Sequence, residues 1–362
     1  MTECVHAPWP SYKPVLRSCA HLPAAAAQIG GLDADLAWIL PRIDKAGTYR
    51  LGKLQRNQAS ALIAGLHRWL EEQPKAGHAS RSGCRRAISC IWPHLSCALA
   101  SSNAQQQQDL LLLPALLDAA GQKPGTFVEL GAYDGVQLSN TIMLERCFNF
   151  TGLLIEANPP NFERMRQSSG RTRSAMVHSA VCGGAPDGVP GLVQMTVGGG
   201  NVARQVLPPD AKSVREQSSN MTTTTTTRRA ANGMNAPPHS ASRRRVIGNV
   251  ASSARKWDEK APLADTVEVP CMPLHKLMRD NGMASGATFL SLDVEGAEEL
   301  VLRTVDPAVF QYIMVETELE VADRRTLGAV DSIIRGSGMV RAREITGVQY
   351  NAVYRQPNAV RG

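Results

Sequence analysis

Three acidic residues stand where short apolar segments end, and their spacing could support binding of a nucleoside. Glu129 opens the run ELGAYDG, while Glu156 and Asp293 each follow directly on an apolar run (GLLI and TFLSL). If those runs are parallel strands, their carboxyl ends share the edge at which open α/β sheets bind ligands. Carboxylates there can accept hydrogen bonds from ribose hydroxyls or from an amino group. The three positions therefore predict one ligand site.

The run Glu129–Gly135 places its two glycines four residues apart. Gly131 and Gly135 would let the backbone turn sharply and approach a bound nucleoside closely. The spacing differs from G-x-G-x-x-G, in which closely spaced glycines lie under a helix N-terminus and cradle a pyrophosphate. It favours a looser loop that suits a methionine moiety, with Glu129 near its amino group. An ordinary turn between a strand and a helix is the alternative.

Glu156 and Asp293 fit the same site. Glu156 lies 21 residues after Gly135, the separation expected for one intervening helix, and could accept both ribose hydroxyls. Asp293 could orient the substrate or act as a base together with Glu295, whereas Glu298 is predicted to stabilise the start of the next helix. Two carboxylates are a thin ligand set for a divalent cation, so we predict no metal.

The segments around these residues alternate between strand and helix patterns. Strands this apolar, separated by helices, indicate a parallel sheet that is covered on both faces. The predicted strands are Thr126–Leu130, Gly152–Ile155, Ala175–Val181, Thr266–Cys271, Thr288–Leu292 and Tyr312–Glu316, with a closing hairpin of Met339–Ile345 and Tyr350–Tyr354 around Gly347. The predicted helices are Asp109–Ala120, Val136–Cys147, Pro160–Gln167, Pro273–Asn281, Ala297–Val305 and Asp323–Ser337.

Two parts of the chain depart from this rhythm. Residues 1–104 are rich in Ala, Ser, Pro and Arg, and contain one credible amphipathic helix, in which leucines from Leu54 to Leu70 recur at helical spacing. We predict a poorly ordered extension there and a domain over 105–362. A polar stretch of about 198–262, with the run Thr222–Thr227, has few large apolar residues. It is predicted to be a disordered insertion in the domain.

Composition excludes several classes of protein. The net charge of +7 comes from residues 1–104 and 209–260, each at +6, so the basic charge lies outside the foldable segments and no nucleic-acid partner is expected. The eight cysteines form no C-x-x-C pair, which argues against a zinc site. The most apolar run, Ala87–Ala100, is too short for a membrane span, although association with a membrane stays open.

Three motifs together resemble a known family. The segments FVELGAYDG, LLIEANP and FLSLDVEGAEELVL, in this order and spacing, are similar to the FkbM-type S-adenosylmethionine-dependent methyltransferases over roughly 126–354. The resemblance implies a Rossmann-like class I methyltransferase fold, with a mostly parallel seven-stranded sheet and a C-terminal antiparallel hairpin. It also implies O-methylation of a hydroxyl on a small molecule or sugar, with S-adenosylmethionine as cofactor.

The resemblance also implies roles for individual residues. The loop at the methionine moiety would comprise Glu129, Gly131, Ala132, Tyr133, Asp134 and Gly135; Glu156 with Ala157 and Asn158 would hold the ribose; His178, Ser179 and Ala180 would border the adenine; and Asp293 with Glu295 would be catalytic. The candidate bases include His178 and His275 as well.

The motif continuation Gln137–Thr141 is closest to a eukaryotic branch similar to Star, a secretory-pathway membrane protein. This leaves a second function open, in cargo export without turnover, and either a cytoplasmic or a secretory (ER/Golgi) location. Cys182 and Cys271 lie near strand ends around the insertion and would pair in an oxidising compartment, whereas Cys147, at the opposite edge of the sheet, is expected not to bond to Cys182. Sequons begin at Asn149 and Asn220.

Overall fold

The computed structural model describes residue 37 and residues 40–72, 88–183, 191–197, 203–206, 265–317, 324–348 and 350–359. The helices are α1 (Lys45–Lys53), α2 (Arg56–Glu72), α3 (Ile88–Ser101), α4 (Gln108–Ala120), α5 (Ile142–Phe148), α6 (Pro159–Ser168), α7 (Leu274–Asp280), α8 (Glu298–Leu302) and α9 (Arg324–Gly336). The strands are β1 (Thr126–Leu130), β2 (Thr151–Glu156), β3 (Ser174–His178), β4 (Ala180–Val181), β5 (Gly191–Val197), β6 (Ala203–Val206), β7 (Asp265–Met272), β8 (Ala287–Leu292), β9 (Phe310–Glu316), β10 (Val340–Arg341) and β11 (Asn351–Arg355).

A seven-stranded sheet forms the centre of the fold, in the order β10-β11-β9-β8-β1-β2-β3. The five strands from β9 to β3 are parallel, while β11 pairs antiparallel with β9 and β10 pairs antiparallel with β11. The predicted Rossmann-like α/β fold, with a mostly parallel seven-stranded sheet and a closing antiparallel hairpin, is confirmed.

The two faces of this sheet are buried in two separate clusters, because successive side chains of a strand point to opposite faces. Phe127 and Phe289 belong to the cluster that also contains α4, whereas Val128 and Leu290 belong to the cluster on the opposite face with α7. All four side chains are fully buried. Burial on both faces explains why these strands read as continuous apolar runs rather than as alternating ones.

A second sheet, in the order β4-β7-β5-β6, was not anticipated. The predicted third strand, Ala175–Val181, is divided at Ser179: β3 stays in the large sheet and β4 pairs with β7 in the small one. The predicted strand Thr266–Cys271 is present as β7 but belongs to the small sheet. Ala203–Val206, inside the segment interpreted as a disordered insertion, pairs with β5 as β6; the rest of 198–262 lies outside the described residues.

The predicted helix around Leu62 is present as α2, but the structure adds α1 and α3 within 1–104. They were missed because each apolar run is short, and α3 contains Pro93. Burial against the domain overrides these weak local patterns: Leu62, Leu95 and Leu99 are at most 1% exposed and share the cluster of Phe127. None of the described helices combines the length and the apolar character that a membrane crossing requires.

Two disulfides connect segments that are distant in the sequence. Cys97 of α3 is bonded to Cys147 of α5, so the N-terminal helices are covalently joined to the domain. Cys182 is bonded to Cys271, which joins the end of β4 to β7. The pairing of Cys182 with Cys271 and the exclusion of Cys147 from it are confirmed, whereas the Cys97–Cys147 bond was not predicted.

The contact between α2 and α4 supplies a test of whether the N-terminal helices belong to the folded unit. A Cβ at Gly65 would lie 2.5 Å from the Pro114 Cβ and 2.9 Å from its Cα, whereas a Cβ at Gly52 in α1 would meet nothing within 4 Å. We expect Gly65→Ala to lower the free energy of unfolding by about 1–3 kcal/mol through overpacking. Gly52→Ala should instead raise it by up to about 1 kcal/mol.

Urea-induced unfolding of both variants measures the difference. Equal effects of the two substitutions would mean that α2 does not pack on α4 in solution.

Candidate functional site

A cavity of about 350 Å³ opens at the carboxyl ends of β1, β2 and β8. That volume lies in the range of pockets that hold small ligands. Of the residues predicted for the cofactor and catalytic site, Asp134, Gly135, Asn158 and His178 do not line the cavity and all the others do. The strand-end carboxylates Glu129, Glu156 and Asp293 are therefore brought together at one edge of the sheet, as their spacing suggested.

Gly131 fixes the distance between the first motif and Asp293. Its φ angle is +75°, and a Cβ built on it would lie 1.9 Å from the carbonyl oxygen of Asp293. Only glycine fits such a close approach. Tyr133 and Glu295, both with φ of 54°, also line the cavity in a backbone conformation that residues with a Cβ rarely adopt.

Glu129 organises the loop that follows the first motif. Its carboxylate accepts hydrogen bonds from the Asn140 backbone N–H at 2.8 Å, from Ser139 Oγ at 2.9 Å and from Thr141 Oγ1 at 2.5 Å. The predicted helix Val136–Cys147 is therefore wrong at its start, and α5 begins only at Ile142. The bonds to Glu129 and a positive φ at Leu138 hold 136–141 in a turn instead of a helix.

Arg171 also holds residues 135–141 in place. Its guanidinium, fully buried, donates to the carbonyl oxygen of Gly135 at 2.9 Å, to Thr141 Oγ1 at 2.8 Å and to Ser139 Oγ at 3.2 Å. Its Nε forms an ion pair with Glu145 at 2.7 Å. Burial raises the pKa of Glu145, but Arg171 and further hydrogen bonds outweigh this effect and hold it below its ordinary value.

Glu156 lies on the floor of the cavity with both carboxylate oxygens engaged. Oε2 accepts from the Tyr133 N–H and Oε1 from the Asn158 N–H, each at 2.7 Å. Burial raises the pKa of Glu156 to about 7, while these hydrogen bonds oppose that shift. The Asn161 side chain and the backbone of Ala157 also hydrogen-bond to this carboxylate, so it is surrounded by four protein donors.

Three of the predicted residues outside the lining act on the loops themselves. Asp134 Oδ1 accepts from the N–H groups of Val136 and Gln137 and so closes the turn. Gly135, with φ of +76°, lies where a Cβ would come within 3.0 Å of Met165 and Ser169. Asn158 is the N-cap residue of α6.

The wall beyond β3 is formed by Ser179 and Ala180, as predicted. Ser179 is almost fully buried, and its hydroxyl donates to the carbonyl oxygens of Ala180 and Pro270. The His178 ring is stacked on Phe162 at 5.0 Å and bonds to the Ala157 carbonyl. His275 lies on α7, and its Nδ1 atom is hydrogen-bonded to Thr304 O. Because His275 does not line the cavity, it is a poor candidate base.

Sequence reasoning missed one acidic residue on the Asp293 side. The carboxylate oxygens of Asp293, Glu295 and Glu316 all lie within 4.8 Å of one another. Burial raises the pKa of Asp293 well above its ordinary value, and the nearby carboxylate of Glu316 adds to the shift. Glu316 ends the predicted strand Tyr312–Glu316, so the strand-end pattern that identified Glu156 and Asp293 could have revealed it as well.

Glu298 behaves as predicted at the start of α8. Its Oε1 accepts from the N–H groups of Val294 at 3.3 Å and Gly296 at 3.1 Å. These bonds hold the turn that carries Glu295. Glu298 thus stabilises the loop beside the cavity, and it does not line the cavity itself.

Comparison with protein families gives one match: the methyltransferase FkbM domain, over residues 129–338. This range begins at Glu129 and includes both Glu156 and Asp293. A search of curated proteins returns no match to this chain.

Among solved structures, the chain is similar to methyltransferase FkbM from Methylobacillus flagellatus KT, with 11% identity and a TM-score of 0.32 over 81% of this chain and 58% of that one. The chain thus spans less than two thirds of that protein. It is also similar to Aeropyrum pernix fibrillarin, solved with bound S-adenosyl-L-methionine (8% identity, TM-score 0.28, 67% and 72% covered). Similarity at this level concerns the fold alone, and the family assignment does not depend on it.

The buried Arg171–Glu145 pair predicts a large loss of stability when one partner is removed. Arg171→Met would leave Glu145 charged and buried, and we expect the free energy of unfolding to fall by roughly 3–5 kcal/mol. The matched control is Arg166→Met, which removes an exposed pair with Glu163 at 2.7 Å and should leave the free energy of unfolding nearly unchanged.

Chemical denaturation of the two variants at neutral pH measures the contrast. A loss for Arg171→Met as small as that for Arg166→Met would contradict a structural role for this pair.

Proposed function

Because the chain belongs to the FkbM methyltransferase domain family, we propose that it transfers a methyl group from S-adenosylmethionine to a hydroxyl of a small molecule or glycan. One observation carries the proposal. The cavity places the glycine loop and Glu156 on one side and Asp293 with Glu295 on the other, at the carboxyl ends of adjacent strands. A cofactor half-site and a proton-accepting half-site thus share one cavity.

The residues on the first side suit the cofactor. Glu156 presents a carboxylate to the cavity as an acceptor for ribose hydroxyls, and Ser179 with Ala180 offers a small, mostly buried wall to a flat base. The absence of a Cβ at Gly131 lets the glycine loop pack directly against the Asp293 backbone, which fixes the distance between the two sides. S-adenosylmethionine, when bound, supplies a methyl group activated by a positively charged sulfur. The surrounding carboxylates favour that charge.

On the second side, the task of the protein is to position an acceptor hydroxyl and to take its proton. Asp293 lines the cavity, and its raised pKa makes it a stronger proton acceptor than an ordinary carboxylate. Glu295 lies on the same loop, held by Glu298. Most of the rate enhancement expected from such a site comes from positioning.

Direct binding tests the cofactor half of this proposal. Titration calorimetry and thermal-shift measurements should both respond to S-adenosylmethionine. Methyl transfer is then followed with a radiolabelled methyl donor and a panel of small-molecule and glycan hydroxyls. Absence of both heat and thermal shift would refute the enzymatic function.

The raised pKa of Glu156 predicts a pH dependence of cofactor affinity. Ribose hydroxyls donate to the ionised form, so affinity should rise with pH and level off above the pKa of about 7. Between pH 6 and pH 8 the ionised fraction rises about tenfold, and the Kd should fall by about the same factor. Glu156→Gln turns one acceptor into a donor and should weaken binding at least about tenfold.

The Kd of S-adenosylmethionine is measured by calorimetry at pH 6, 7 and 8. The control, Glu163→Gln, changes an exposed carboxylate on α6 and should keep the wild-type profile. An equal pH dependence in Glu156→Gln would assign the effect to another group and contradict the prediction.

A second candidate function is a Star-like role in the secretory pathway, in which the fold is kept without turnover. The disulfides Cys97–Cys147 and Cys182–Cys271 favour it, because such bonds persist in oxidising compartments. Asn149, which begins a sequon, is exposed in a left-handed turn after α5. It precedes β2, at the edge of the sheet opposite the cavity, so a glycan there would leave the cavity open.

This candidate predicts glycosylation at Asn149. The protein from its native cells should lose mass on treatment with an N-glycosidase, and Asn149→Gln should remove that loss for one glycan. The matched control is Asn281→Gln, an asparagine outside any sequon. Recovery of the unglycosylated protein from the cytosol alone, after cell fractionation, would count against the secretory role.

A further inference from the structure

We propose that Glu316 is a positioning residue for the acceptor side: its side chain holds the Asp293 carboxyl group against the cavity wall by a hydrogen bond, so that one Asp293 oxygen faces the acceptor hydroxyl. This rests on the proposed methyltransferase function. Asp293 lines the cavity and Glu316 does not, so the two residues have different tasks.

The register of two parallel strands places these side chains together. The last aligned pair of β8 and β9 is Leu292 with Val315, so the next position brings Asp293 beside Glu316. Adjacent strands are about 4.8 Å apart, and both side chains leave the sheet on the same face as Ser291 and Met314. On the other side of β8, the Asp293 backbone N–H donates to Leu130 O at 3.3 Å, so Asp293 is still held against β1.

The contact between the two carboxyl groups requires a proton. One carboxylate oxygen of Asp293 lies within 4.8 Å of one of Glu316; two ionised carboxylates at this separation repel each other, and one retained proton lets them form a hydrogen bond. Three carboxylates this close either share protons or bind a cation. A direct hydrogen bond between two of them means that they share a proton.

Asp293 is surrounded by further acidic groups. Glu316 faces it from β9, Glu295 and Glu298 from the loop and the start of α8, and Glu129 from β1. Together with burial, Glu316, Glu298 and Glu129 raise the pKa of Asp293 and so favour one retained proton at neutral pH.

The raised pKa of Asp293 places the shared proton on Asp293 in the resting pair; in the reactive arrangement that proton lies on Glu316. Its O–H donates to one oxygen of the Asp293 carboxylate, and the other Asp293 oxygen faces the cavity. When the acceptor oxygen is methylated, its proton passes to that second oxygen. Both carboxyl groups are then neutral, and one proton must leave to solvent before the next cycle.

Two substitutions separate this role from simple packing. Glu316→Gln keeps an N–H donor toward Asp293 and mimics the protonated glutamate, whereas Glu316→Ala removes the donor. The first should therefore preserve the orientation of Asp293, and the second should release it. Glu344→Gln, which changes an exposed carboxylate paired with Arg355, is the control.

Carbon-13 NMR of protein labelled at the aspartate carboxyl carbons tests the pair without any need for a substrate. The Asp293 resonance is assigned by its absence in Asp293→Asn. It should titrate in two steps in the wild type and in Glu344→Gln, because two coupled carboxyl groups lose their protons one after the other and each loss affects both groups. It should titrate in one step in both Glu316 variants. A single step in the wild type would overturn the proposal.

Two further readouts complete the test. In the methyl-transfer assay, Glu316→Ala should lose about a hundredfold or more in kcat with unchanged cofactor affinity, and Glu316→Gln should stay within about tenfold of wild type. Equal loss in both would overturn the positioning role. A shift of the Asp293 resonance on addition of Mg²⁺ at millimolar concentration would overturn it too, since the carboxylates would then be cation ligands. Failure of S-adenosylmethionine to bind would refute the proposed function and leave the two-step titration intact.

Discussion

The guanidinium of Arg171 is the interaction on which the cofactor-side loop depends. It lies at the base of residues 135–141, a stretch outside the named helices and strands, and donates to three acceptors there. A buried cation is costly unless it is paired, and Glu145 supplies the opposite charge. Glu129 holds the same loop from the sheet side. The loop is therefore ordered by charge and hydrogen bonding, and its shape cannot change without exposing a buried ion.

The sheet contributes a second constraint through register. Parallel pairing aligns the ends of β2, β1, β8 and β9, so residues that follow each strand form a row along one edge. Because Gly131 has no Cβ, the loop after β1 can pack directly against the backbone of Asp293 after β8. Several carboxylates therefore lie close together at this edge of the sheet. Their mutual repulsion raises the affinity of the site for protons and for cations.

Most of the fold, and the position of Glu129, Glu156 and Asp293 around one cavity, could be predicted from the sequence, because they rest on short-range patterns. The apolar runs that contain or precede Glu129, Glu156 and Asp293 identify three strands and their order along the chain. The rest depends on contacts distant in the chain. Glu316 joins the site only through the pairing of β8 with β9, and Cys97 meets Cys147 across 50 residues. Likewise, the helical pattern after Val136 is overridden by hydrogen bonds to a carboxylate on another element.

The two halves of the cavity are linked by electrostatics. Carboxylates on the acceptor side repel one another, and this favours protonation of Asp293 in the absence of any positive charge. A positively charged ligand in the same cavity would offset that repulsion, lower the pKa of the pair and free Asp293 to accept a proton. Because such coupling is reciprocal, the protonation state of Asp293 and Glu316 would in turn set the affinity for the cation. Under the proposed function, Asp293 would act as a base only when its cationic partner is in place, which would restrict proton transfer to the occupied cavity.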